Sequence, residues 1–289
     1  MPVSAMQYKA AKAAAETFSN WPFSRHFVEW RWRATNMLST RRRVGMFGKL
    51  FGSKKQKKKE AQVDPKTAAF IQALRERSKE DPLIDAKLGG KEIVQRLLAA
   101  MSGSNGVHFQ SLLTALGALA GYACQANLRA QALEQGKPET APFQVLTTKD
   151  GKEYFFGNNV NKMLAEHQFS VWSLAAGAAQ HAGATELPDL NDLFKHSASV
   201  VGSKQFGIPR IPAEHRPGDM PLAYLKDFWP PLFKTVQLFC PDPIKWPILY
   251  GFAIQEAILS SKEVLDPGMT LLIVMESAIP MSKVDLANA

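Results

Sequence analysis

Two carboxylates interrupt long apolar runs near the C-terminal end of the chain, Glu256 in FAIQEAIL and Glu276 in IVMESAIP. A carboxylate in low dielectric needs a cation or hydrogen-bond donors, or else it holds its proton. Upstream, the segment 202–221, GSKQFGIPRIPAEHRPGDMP, carries Arg210, His215, Arg216 and Asp219 among Pro209, Pro212, Pro217 and Pro221. A loop of that length inside a compact chain is either functional or disordered. Phe206, Ile208 and Ile211 point to a loop anchored on the core, because a disordered linker is poorer in such residues. Laid over one of the two acids, the loop would bring carboxylate, imidazole and guanidinium together, a combination suited to proton transfer or anion recognition. The plainer expectation is that each acid lies at the polar margin of its helix, or pairs with one base for structural reasons.

Other candidate chemistry is sparse. His167, His181 and His196 are spaced too widely for the i, i+4 pair of a helical zinc site, and His108 reads as a surface or hydrogen-bonded histidine. Cys124 and Cys240 sit in apolar surroundings without a CxxC partner, as reduced core thiols do. The chain holds no GxGxxG or GxxxxGK[ST] phosphate loop, no GxSxG, no HExxH and no EF-hand loop. These patterns imply no cofactor and no metal, and they leave any catalytic reading without a motif.

The second chemically loaded stretch is Met46 to Lys59, MFGKLFGSKKQKKK. Residues 1–60 hold 14 Lys and Arg against 3 Asp and Glu, a net +11, while residues 61–289 hold 21 bases against 23 acids, a net −2. The basic character therefore belongs to a tail. A nucleic-acid-binding domain spreads its bases over a folded face, so contact with nucleic acid is not expected of the body. Phe47, Leu50 and Phe51 followed by Lys54, Lys55, Lys57, Lys58 and Lys59 pair an apolar cluster with bases, as a weak anchor to anionic lipid does. A solvated disordered leader is the plainer reading. Residues 1–45 carry Trp21, Trp30 and Trp32 without a period that would bury them. They are read as an unstructured extension, with Met46 as the native start.

The elements that must position these groups are mainly helical. Asp64 and Pro65 open a helix that the pattern ends at Asp81 and Pro82. Gly89 and Gly90 punctuate before a second helix striped by Ile93, Val94, Leu97, Leu98 and Met101. Val107 to Gln135 reads as a central helix closed by Gly136, and its small residues, Gly117 and Gly121 among them, invite close approach by neighbours. In FQVLTTKDGKEYFFGNN, alternation around Asp150 and Gly151 predicts a hairpin with a two-residue turn. Asn158 or Asn159 is expected to cap the next helix, and Asp189 the one after it. Pro230 and Pro231 are expected to break a stripe running from Leu222 to Phe239, and two apolar helices follow, the second opened by Asp266 and Pro267. No run is long and apolar enough to cross a bilayer.

The fold class that follows is mostly α: one helical domain over 64–289 with a β-hairpin near 143–157, a basic amphipathic tail at 46–63 and a disordered N-terminal leader. Three functions follow from it. The first is a non-catalytic interaction or scaffold protein that binds another protein through the hairpin edge or the loop 202–221, in the cytoplasm, its tail touching the inner face of the membrane. The second is an enzyme or anion-binding protein with Glu256 or Glu276 under the loop, facing Arg210, His215 or Arg216. The third is nucleic-acid contact through the tail alone.

Overall fold

The computed structural model describes residues 64–104 and 106–288. The tail residues Phe47 to Lys59, the extension 1–45 and the choice of Met46 as start lie outside the described residues.

Helix α1, Pro65–Arg77, is capped by Asp64, whose carboxylate accepts from the N–H groups of Lys66 and Thr67. It stops four residues short of Asp81. Helix α2 spans Ile84–Met101 and runs straight through Gly89 and Gly90, which do not punctuate it. Both glycines press on helix α7, Trp246–Ser261. A Cβ at Gly90 would fall 2.7 Å from the Leu249 carbonyl oxygen and 2.9 Å from the Ala253 nitrogen. The pair therefore marks a helix crossing, which offsets the roughly 1 kcal/mol that each glycine costs a helix.

Helix α3, Phe109–Glu134, is the central rod, buried along most of its length, and Gly136 follows it with φ +69° as its left-handed terminator. Gly117 and Gly121 let it meet helix α8, Pro267–Met281, almost backbone to backbone. Around α3 pack α6, Pro221–Phe239, together with α7 and α8, while α4, Val171–His181, covers α7. Helix α5, Leu190–Ser199, opens on Asp189 as its sequence predicts and lies against α8.

Two further sequence expectations fail on helix boundaries. Pro230 and Pro231 do not break α6. The i−4 carbonyls to which these prolines cannot donate belong to Lys226 and Asp227, both exposed, where solvent can replace the two bonds. Leu225, Trp229, Leu232 and Val236 meanwhile keep one buried stripe through the prolines. The expected asparagine cap is also absent: Gly157 precedes a single turn, Asn158–Asn161, that widens into a π-turn over Lys162–Glu166, and Ser170 caps α4 by accepting from the Ser173 N–H at 3.1 Å.

Strands β1, Gln144–Thr147, and β2, Glu153–Phe156, pair antiparallel with Val145 opposite Phe155 and Leu146 opposite Tyr154. Their connection is one residue longer than predicted. Thr148 N–H donates to Lys152 O and Gly151 N–H to Thr148 O, both at 2.9 Å, and Gly151 takes φ +81°. This is the three-residue loop with a left-handed glycine that closes a type I turn.

Candidate functional site

The loop following α5 crosses the surface and places Arg210 on α8. Its backbone N–H donates to Glu276 Oε2 at 3.1 Å and its Nε to Glu276 Oε1 at 2.9 Å, while an Nη donates to Asp192 Oδ2 at 2.8 Å. Glu276 has a side chain 6% exposed, so its charge is held by one guanidinium N–H and the peptide N–H of the same arginine. Burial works against the Arg210 cation, but the bonds from Asp192 and Glu276 outweigh it and its pKa rises. Asp192 carries no distinguishing signal in the sequence, for it stands on α5 in the first turn, where an acid is ordinary.

The other candidates lie apart. His215 ends a 3-10 turn, Ala213–His215, with its Nδ1 buried and unpaired; Arg216 is exposed. Among the described residues no hydrogen bond or ion pair joins either of them to Glu256 or Glu276. Glu256 faces elsewhere: burial raises its carboxyl pKa, and the charge of Lys91 partly offsets that. Beside Glu276 a shallow cleft is lined by Leu193, His196, Val200, Ile208 and Ile279, with interior room only for about a water molecule. Both oxygens of Glu276 are already taken, so the cluster works as a clasp on the loop. Three further contacts hold the same loop down: the Phe206 ring sits edge-on to Tyr154 at 4.8 Å, Ile211 is buried, and the Gly218 N–H donates to Ser111 Oγ at 2.8 Å.

A second buried charge lies at the end of α8. Lys283, 4% exposed, donates from Nζ to Asn161 Oδ1 at 2.8 Å and stands 5.7 Å from the centroid of the Phe156 ring. Its only sequence signal is a base directly after an apolar helix. Burial pushes its pKa down to about 8. The neighbouring Cys124 thiol, wholly buried, is pushed up to about 12 and stays protonated and unreactive.

Between about pH 8 and the ordinary lysine value of 10.5, the unfolded chain binds a proton that the folded protein has released, so stability rises with pH across that window. Below pH 8 both states are protonated and the whole cost of the buried cation is present. Lys283→Met should flatten the slope and gain about 1–3 kcal/mol at pH 7. Urea titrations of both proteins from neutral to alkaline pH check this. Taking their difference isolates Lys283 from groups common to both proteins, and parallel curves would refute it.

The hairpin is fixed to the body on one side and open on the other. Arg129 lies over the Phe155 ring at 4.2 Å and pairs with Glu139 at 3.1 Å, and Phe143 packs edge-on against Phe155. The free side of β2 is closed by the chain after α8, where Phe155 N–H donates to Lys283 O at 2.8 Å and Val284 bridges Tyr154. Among the described residues strand β1 has no such neighbour. Because Thr148 and Lys152 form a bonded pair, alternation turns the N–H and C=O of Val145 and Thr147 away from β2. Among the described residues nothing bonds to those groups, and all four side chains of β1 are exposed.

Among the described residues no group of three or more His, Cys, Asp or Glu is placed to hold a metal ion, and no helix is long and apolar enough to cross a membrane. Set against family models, curated proteins and solved structures, the chain matches none of them.

Proposed function

We propose that this is a non-catalytic interaction protein that captures a partner by adding a strand to the open edge of β1. The observation that carries this reading is a rigidly mounted strand whose outer peptide groups are unbonded and whose Val145 and Leu146 are 42% and 48% exposed. Natural edge strands are usually guarded by lysine, proline or a bulge, and Gln144–Thr147 has none of these. The reading keeps the basic tail at 46–63 as a loose contact with anionic membrane surface, resting on composition alone. The free, buried thiols of Cys124 and Cys240 support a reducing compartment for it. The acid-base alternative is set aside because both oxygens of Glu276 are engaged by Arg210 and, among the described residues, no hydrogen bond or ion pair joins His215 to it.

A photo-crosslinking residue placed at Leu146 in the native cell should give a discrete protein adduct, while one at Leu133, 60% exposed on α3, should not. Val145→Pro removes one outward N–H without touching the bonds between β1 and β2, so the fold should survive within about 1 kcal/mol while the adduct is lost. Equal crosslinking at both positions would defeat the reading.

A further inference from the structure

The open edge of β1 is complementary to itself. We infer that its partner is a second copy of this chain, joined antiparallel across a two-fold axis through Leu146. This rests on the reading of β1 as an interaction edge and names the occupant. With the axis at Leu146, Val145 of one copy meets Thr147 of the other. Those are the two residues whose N–H and C=O point outward, so all eight outward groups of the two strands find partners at once. No shift of register does this as completely, because a one-residue slip turns inward-bonded residues toward the new strand.

The side chains agree with the same register. Leu146 faces Leu146 across the axis in a non-hydrogen-bonded pair, the arrangement that brings side chains closest, and each is 48% exposed in the single copy. Val145 faces Thr147, both β-branched, and Gln144 faces Thr148 beyond them. No charge opposes a like charge along these rungs; Lys149, the first base past the strand, falls opposite Phe143. With β2 closed by Lys283 and Val284, β1 is the one open edge of the hairpin among the described residues, so pairing stops at two and cannot grow into a fibre. Strands of four residues bury far less than the surface of a standard stable interface, so the dimer is weak and concentration-dependent.

The test uses the full chain. In sedimentation velocity over a wide concentration series, the weight-average mass should climb from that of the monomer toward twice that value, and Val145→Pro should hold it at the monomer. Leu146→Cys should form a reducible dimer under mild oxidant much faster than Leu133→Cys, because two cysteines across the axis lie within disulfide reach. The native thiols at Cys124 and Cys240 are buried and do not compete. A monomer at every concentration, with Leu146→Cys oxidising no faster than Leu133→Cys, overturns the second copy as partner. If the crosslinker at Leu146 still captures a different protein in that case, the edge reading stands without it; if it captures nothing, both fall.

Discussion

Gly121→Ala is expected to destabilise the protein by about 2–4 kcal/mol, although alanine is the better helix former by about 1 kcal/mol. A Cβ at Gly121 would overlap the Ala278 carbonyl oxygen and stand 2.7 Å from its carbon and 2.8 Å from its Cα. Those atoms belong to the backbone of α8, which cannot rotate aside as the tip of a side chain can. Gly117 faces the same helix one turn earlier, with a Cβ position 2.5 Å from the Val274 carbonyl oxygen, so Gly117→Ala should act in the same direction. The added methyls can be accommodated only by prising α3 from α8, which would open the most extensive helix pairing of the core. Leu133→Ala, on the exposed side of α3, is the control and should change stability by no more than about 0.5 kcal/mol. Urea midpoints of the three variants decide the matter; an unchanged or raised midpoint for Gly121→Ala would show that the two helices do not cross there.

Arg210→Ala is expected to cost about 2–4 kcal/mol at neutral pH. The substitution leaves Glu276 with the peptide N–H of residue 210 but strips its countercharge from a site that is 6% exposed. The outer partner, Asp192, is 61% exposed and contributes little by itself, so Asp192→Asn should cost under about 1 kcal/mol. Arg210→Lys should recover only part of the loss, since a lysine cannot bridge two carboxylates with one planar fork. The double variant Arg210→Met, Glu276→Leu should be markedly more stable than Arg210→Ala alone, since it leaves no charge stranded. Limited proteolysis provides the second readout: with the clasp gone, the segment 202–221 should be cut first. A parent-like denaturation curve for Arg210→Ala would mean that Glu276 finds its compensation elsewhere.

What was legible along the chain was whatever is decided within a few residues. Asp64 before Pro65, Asp189 after Pro188 and Asp266 before Pro267 each announce a helix start, because the capping carboxylate bonds N–H groups two or three positions on. The hairpin was legible through its alternation, although Gly151 could not by itself distinguish a two-residue from a three-residue turn. Glycine and proline misled elsewhere for the same physical reason. Gly89 and Gly90 lack a side chain, and that absence suits a chain break as well as a close crossing. Only the presence of α7 against them settles which. Pro230 and Pro231 forfeit two helical bonds, and only the exposure of Lys226 and Asp227 makes that tolerable.

The site followed the same division. The sequence by itself determined that Glu276 would lie in an apolar helix, that a proline-rich loop carrying Arg210 existed, and that the positive charge gathers in the first sixty residues. It determined as well that β1 would be a strand. Tertiary structure alone decided that Arg210 reaches Glu276, 66 positions away in sequence, and Asp192, 18 positions away, while His215 and Glu256 stay out of the cluster. It also decided that Lys283 closes one edge of the hairpin and leaves the other open. Caps, turns and amphipathic stripes depend on neighbours along the chain, whereas charge pairing, helix crossings and strand edges depend on which distant segments the packing brings within a few ångströms.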